Sequence, residues 1–206
     1  IKSITFQLAR LTAWKRATFG DVWTVGDSYN VAIGQGYLIV TPLEMANIIA
    51  SIANGGTLYK PRLVRDVVDL NGDIVRSFAP EIVRTLPIKP QNMKAIQDAL
   101  VSVVGPEGTA RSVQIPGLTY AGKTGTAEFC DDIAQKTGVC YPGIRVQPSH
   151  AWFVAYAPAE KPTIALSVYV WNGGQGSAVA APIAQRIIAE YFGLPLPKDQ
   201  QIIKTE

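Results

Sequence analysis

The chain has 206 residues, 48% hydrophobic and 17% charged, with a net charge of +3. That is enough for one domain with a real core, and the composition is globular rather than disordered. The basic residues are scattered, so neither a nucleic-acid groove nor a polybasic membrane patch is expected, and no apolar run reaches the ~20 residues of a membrane span.

Residues 1–33 give no clear periodicity. Trp14, Phe19, Trp23 and Tyr29 recur between polar residues and glycines, which predicts an irregular segment pinned by aromatics. Gly34-Gln35-Gly36 has the look of a phosphate loop but lacks the G-x-G-x-x-G spacing and a preceding strand. It reads as a tight turn under a functional floor. A first helix starts at Thr41-Pro42-Leu43-Glu44, where Thr41 caps, Pro42 fits the first turn and Glu44 completes a capping box. Met45, Ile48, Ile49 and Ile52 form its apolar face, and Asn54-Gly55-Gly56 ends it.

Residues 61–79 read as a β-hairpin, Leu63 to Leu70 and Ile74 to Phe78, turning at Asn71-Gly72. Pro90 opens a second helix, with Met93, Ile96, Leu100 and Val103 inward and Gly105-Pro106 as its stop. Next comes Thr119-Tyr120-Ala121-Gly122-Lys123-Thr124-Gly125-Thr126, a strand whose glycines leave one face bare. Glycine inside a strand often marks close approach of a ligand or of another backbone. A cation, two hydroxyls and an accessible N–H there suit a carboxylate and a developing oxyanion.

Residues 128–149 read as a long loop holding Cys130 and Cys140, the only cysteines. In an exported protein they can close a small loop; in a cytosolic one they are two ordinary thiols. With a single histidine they make no zinc set, and no metal is expected. His150, at a strand start, reads as a structural hydrogen-bonding residue. Ala151–Tyr156 and Thr163–Trp171 are nearly continuous apolar strands, so both sheet faces should be covered. A last helix with Pro182 in its first turn turns Ile183, Ile187, Ile188 and Tyr191 inward and stops at Gly193. The tail 194–206 looks loose. The organisation is a segment 1–36, a body 37–193 and that tail.

Lys-Thr-Gly is one of three motifs of penicillin-recognising serine enzymes, beside S-x-x-K and S-D-N. The string Trp23-Thr24-Val25-Gly26-Asp27-Ser28-Tyr29-Asn30-Val31-Ala32-Ile33-Gly34-Gln35-Gly36-Tyr37, followed by Thr41-Pro42-Leu43-Glu44-Met45-Ala46, resembles class B penicillin-binding proteins, closest to the penicillin-binding protein 2 group of cell elongation. So do Trp14-Lys15-Arg16 with Phe19-Gly20, and Asn172-Gly173-Gly174. The resemblance runs from about Trp14 to Phe192. It implies an α+β fold, an α/β sandwich with an antiparallel sheet and helices on both faces, of which only the C-terminal part is here.

By the same resemblance the parent is a D,D-transpeptidase that cross-links peptidoglycan stem peptides ending in D-Ala-D-Ala and is trapped by β-lactams, with no cofactor. Lys123 and Thr126 are its implied catalytic residues, and Lys123, Thr124, Gly125 and Thr126 its substrate-binding residues. The N–H of Thr126 belongs to the oxyanion hole. It also implies anchorage on the extracytoplasmic face of the inner membrane through a segment outside this chain, and partners in the elongation machinery.

No serine here is followed by lysine three residues later. The nucleophile, its lysine and the S-x-N lid are therefore expected outside this chain, which opens at Ile1 without an initiator Met. Ser28-Tyr29-Asn30 fits S-x-N literally but sits inside the string that follows the true motif, so Ser28 reads as a decoy. The competing reading is a non-catalytic sensor that keeps the cleft and binds penicillin or peptidoglycan peptide.

Overall fold

The computed structural model describes residues 4–141, 143 and 147–195, with backbone alone for 4–10. Its centre is a three-stranded antiparallel sheet in the order β5-β6-β7, made of β5 (Ala121–Glu128), β6 (Ser149–Ala157) and β7 (Ile164–Val170). The β5–β6 register is unbroken, with Lys123 opposite Val154 and Thr126 opposite Ala151. β6 is the middle strand, and its side chains alternate between two cores as a strand's must. Ala151, Phe153, Ala155 and Ala157 join the larger core with Val113, Ile115, Tyr120 and Ile188. Val154 and Tyr156 join Ile49 and Ala121 on the opposite face. Helices cover both faces, as continuous apolar strands require.

One face is covered by α3 (Pro42–Ala53) and α4 (Pro90–Val104). The capping box of α3 forms as read: Glu44 Oε2 accepts from Thr41 N–H at 2.8 Å, and Thr41 Oγ1 accepts from Glu44 N–H at 3.2 Å. Met45, Ile49 and Ile52 face the sheet, and Gln97 of α4 donates to Ile52 O at 2.8 Å. In α4, Met93 is buried and Leu100 packs on the core, but Ile96 is 37% exposed and not inward.

The other face is covered by α6 (Ala180–Phe192), ended by Gly193 in the left-handed region. Its inward face differs from the sequence reading. Ile188 is fully buried, whereas Ile183, Ile187 and Tyr191 are exposed. Their places are taken by Ala180, Ala181, Ala184, Gln185 and Ala189. Alanines let the helix lie close to the sheet, and a stripe chosen by size alone misses them. The buried Gln185 amide is satisfied by donating to Gln114 O at 2.8 Å.

The early chain is also more regular than its sequence suggested. Ile4–Phe19 forms α1 and Val25–Ala32 forms α2. α2 starts with the same signal as α3: Thr24 caps and Asp27 closes the box. Asp27 also accepts from Lys15 Nζ of α1 at 2.7 Å, and both residues are buried. The pinning aromatics are Trp14, Phe19, Trp23 and Tyr37. Tyr29 is exposed and outside that cluster.

The hairpin forms but is shorter than expected, as β2 (Asp66–Val68) against β3 (Ile74–Ser77), with Gly72 at φ +91° in the turn. Its root is a second pair the sequence did not reveal, β1 (Thr57–Tyr59) with β4 (Ile82–Thr85). The loop after β5 holds a short helix, α5 (Asp132–Lys136), capped by Asp131. Cys130 and Cys140 are bonded to each other across it, with Cα atoms 5.8 Å apart. Of the tail, residues 196–206 lie outside the described residues.

Two measurements check these packing assignments. Ile188→Ala should destabilise by about 2–5 kcal/mol, as removal of a fully buried aliphatic side chain does, whereas Ile187→Ala should cost under ~1 kcal/mol in urea unfolding. The second concerns pH. The hydrogen bond from Lys15, then that from Thr24 N–H, lowers the Asp27 carboxyl to about 2. A depressed folded-state value stabilises above the unfolded value near 4 and loses that contribution as pH falls through about 2. The stability gap between wild type and Asp27→Asn should be constant above pH ~4 and shrink below it, read by thermal melts across pH.

Candidate functional site

Strand β5 lies at an edge of the sheet. In an antiparallel strand each residue turns its N–H and C=O to the same side, and successive residues alternate sides. Thr124, Thr126 and Glu128 turn theirs away from β6. Three contacts show this. Lys123 Nζ donates to Thr124 O at 2.7 Å, Gln35 Nε2 donates to Thr126 O at 2.9 Å, and Glu128 N–H donates to Gln35 Oε1 at 3.2 Å. The N–H of Thr126 therefore faces the open edge as well, on the side where the Lys123 ammonium lies.

The Gly34-Gln35-Gly36 turn, read from sequence as a support, is brought to β5 by that side-chain amide. Gly34 and Gly36 both have φ near +80°, a conformation that favours glycine. Ser28 sits on α2, where its hydroxyl accepts from the Trp23 indole N–H at 2.9 Å.

The two threonine side chains share one face of β5, two residues apart. Thr126 Oγ1 accepts from Gly176 N–H at 3.3 Å, which leaves the hydroxyl proton free to donate. Thr124 Oγ1 lies 3.2 Å from Thr109 Oγ1. Thr109 and Gly176 escaped the sequence reading. Thr109 closes the Gly105-Pro106-Glu107-Gly108 turn after α4, and the turn was read only as a helix stop. Gly176 carries a signal visible only in three dimensions: a Cβ there would lie 2.3 Å from the carbonyl oxygens of both Gly125 and Trp152.

The strand glycines have packing reasons too. A Cβ on Gly122 would lie 2.5 Å from the Phe153 ring, and one on Gly125 would lie 3.0 Å from Trp152 Cβ. The face at Gly122 is thus filled by a neighbour rather than bare. Gly125 is not a bulge, because the register runs through it.

His150 has the structural role expected of it. Its Nδ1 accepts from Asn172 N–H at 3.1 Å, so the neutral ring carries its proton on Nε2. The ring stacks on Phe129 at 3.8 Å. Burial lowers its pKa. A cavity of about 310 Å³ between α4 and Tyr120 touches none of Lys123 to Thr126; the candidate site lies on the open strand edge.

The penicillin binding protein transpeptidase domain family matches residues 15–189, and the chain belongs to that family. Among curated relatives, the peptidoglycan D,D-transpeptidase MrdA of Acinetobacter baumannii is 33% identical over 189 residues, covering 90% of this chain and 27% of the relative. The corresponding protein of Haemophilus influenzae is 29% identical over 190 residues, covering 90% of this chain and 29% of the relative. Among solved structures, Pseudomonas aeruginosa penicillin-binding protein 2 superposes with a TM-score of 0.65 at 30% identity, over 94% of this chain and 38% of that one. The imipenem acyl-enzyme of penicillin-binding protein A from Mycobacterium tuberculosis gives a TM-score of 0.63 at 32% identity, over 79% of this chain and 33% of that one. This chain thus spans under a third of the length of the two curated relatives.

Proposed function

We propose that this chain is the C-terminal part of a serine D,D-transpeptidase domain of the penicillin-binding protein 2 type, acting on peptidoglycan stem peptides and acylated by β-lactams. The observation that carries this reading is the open edge of β5, where the Thr126 N–H and the Lys123 ammonium lie together in a chain of this family. The M. tuberculosis relative, solved as an acyl-enzyme with imipenem, supports the β-lactam chemistry.

The chemistry follows from that edge. A serine hydroxyl attacks the penultimate D-Ala carbonyl, and the oxyanion that forms accepts from Thr126 N–H, a donor fixed before the reaction. The terminal D-Ala leaves, and an amine of a neighbouring stem peptide takes the acyl group and frees the serine. Lys123 contributes a positive charge beside the reacting centre. The substrate carboxylate displaces the Thr124 carbonyl from Lys123 Nζ, because an ionised acceptor binds an ammonium more strongly than a neutral one. Thr126 donates its free hydroxyl proton to the same carboxylate, and Thr124 adds a second hydroxyl. Gly125, on the opposite face of the strand from the two hydroxyls, lets the acyl group lie against the strand.

The nucleophilic serine and its lysine come from outside this chain, since its sequence holds no S-x-x-K, and so does the S-x-N motif, since Ser28-Tyr29-Asn30 lies inside the string that leads to Gly34-Gln35-Gly36. The parent works on the extracytoplasmic side, where its substrate is, with elongation proteins as its partners.

Residues 1–206 alone should form no covalent adduct with a labelled penicillin in intact-mass measurements. A stable adduct on any serine, Ser28 included, would overturn the assignment of the nucleophile to another segment.

In the full-length protein, Lys123→Ala should depress acylation by both peptide and penicillin. Thr126→Val keeps the backbone N–H and loses only the hydroxyl. A hydrogen bond to a charged group is worth about 1.5–3 kcal/mol, so acylation by carboxylate-bearing ligands should slow roughly 10- to 100-fold. A neutral ester analogue should be much less affected. Equal losses in second-order acylation rates for the two ligands would mean that Thr126 shapes the strand and does not read the carboxylate.

A further inference from the structure

We infer that Gln35 is a positioning residue for the oxyanion donor: its side-chain amide holds the open edge of β5 so that the Thr126 N–H points at the reacting carbonyl. This rests on the transpeptidase reading above and adds a residue to it.

A primary amide offers one C=O and an NH₂, the same groups as a peptide unit. Gln35 uses both on one strand edge, its nitrogen donating to Thr126 O at 2.9 Å and its oxygen accepting from Glu128 N–H at 3.2 Å. The two contacts stand where the N–H and C=O of a single residue of a neighbouring parallel strand would stand. Two-point attachment fixes the two peptide planes that flank Ala127, the first of which carries the Thr126 carbonyl. The C=O and N–H of one strand residue share a side, so holding the Thr126 carbonyl also sets the direction of its N–H. Pairing stops at Gln35, and the Thr126 N–H is the next group along the edge, toward Lys123.

Gln35 is itself held. Its own N–H donates to Asn30 O at 2.8 Å, and Gly34 N–H donates to Val31 O at 3.0 Å. A Cβ on Gly36 would meet Asn30 Cβ at 3.1 Å in addition to its unfavourable φ. Behind the turn, the Lys15–Asp27 pair and the Trp14, Phe19, Trp23 and Tyr37 rings join α1 and α2 to it. A chain of contacts thus runs from the α1–α2 unit through one amide to the reacting edge. Misplacing a reacting group by ~1 Å can cost about 100-fold in rate.

The test uses the full-length protein and a chromogenic cephalosporin, with stopped-flow separation of initial binding from the acylation rate constant. Gln35→Ala should lower the acylation rate constant roughly 10- to 100-fold and leave the initial dissociation constant within about twofold. Gln35→Glu keeps the shape and supplies a pH signature. The ionised carboxylate can accept from Glu128 N–H but cannot donate to Thr126 O, whereas the protonated form can do both.

The ratio of Gln35→Glu to wild-type acylation rates should therefore rise at least about twofold from pH 8 to pH 5, on the way to a carboxyl value near 4.3. Glu128 and Lys123 on β5, His150 on β6, and Lys15, Asp27 and Tyr37 behind the turn are common to both proteins, so their own titrations largely cancel in the ratio. A merely structural role would lower the melting temperature without this pH-dependent ratio. Wild-type acylation at a normal rate in both variants, or a flat ratio for Gln35→Glu, overturns the positioning role and leaves the transpeptidase reading standing. Absence of any acylation in the wild type overturns both.

Discussion

The function proposed for this chain depends on an unequal division of hydrogen bonds along β5. One edge of the strand is paired with β6 over its whole length, without a bulge. The other edge is shared among side chains: the Lys123 ammonium on Thr124 and the Gln35 amide on Thr126 and Glu128. Unpaired strand edges invite uncontrolled association. Here the edge is partly occupied by groups from the same molecule, and what stays free is limited to the stretch where a ligand's backbone and carboxylate would lie. The strand is thus rigid on one side and receptive on the other, which is the condition for a donor that need not reorganise during the reaction.

That rigidity is produced by close packing of small residues. Alanines of α6 lie against Ala151, Ala155 and Ala157 of β6, and Gly176 lets the chain before α6 rest on the carbonyls of Gly125 and Trp152. On the opposite face α3 supplies larger side chains, with Ile49 against Val154 and Tyr156. The sheet is held between a close layer and a bulky one. Any side chain larger than hydrogen at position 176 would lift the segment that donates to the Thr126 hydroxyl. The site's chemistry and its packing are therefore built from the same atoms.

Much of this was legible in sequence, and the failures have definite causes. The ends of α3 and the stop of α4 were readable because caps and prolines act locally, β6 and β7 because they are nearly continuous apolar runs, and β5 because glycines interrupt its β-branched and aromatic run. The helix α2 was missed although Thr24 and Asp27 form the same box as Thr41 and Glu44. Gly26 inside it, and the polar residues after it, hid a segment that the Lys15 contact to Asp27 ties to α1. The outer residues of α6 were misassigned because side-chain size was taken as the sign of burial, while the helix approaches through alanine. At the site, Lys123, Thr124, Gly125 and Thr126 were legible as a motif. Thr109 and Gly176 were not, because their meaning lies in contacts between segments far apart in sequence. Gln35 was read as part of a turn, and only the fold shows that its side chain reaches a strand some ninety residues later.

The Cys130–Cys140 bond has a consequence for how this domain can change over evolutionary time. It closes a ring around α5 immediately after β5. The covalent path from Glu128 to Ser149 is shortened by the bypassed residues, and closure entropy depends on that path only logarithmically. Insertions or replacements inside the ring leave the path from β5 to β6 unchanged in length. Between Cys140 and Ser149 the same changes lengthen it directly. The cross-link therefore divides the loop into a tract whose length can change and a tract tied to the alignment of β5 on β6, so that insertions can accumulate beside β5 without altering its register.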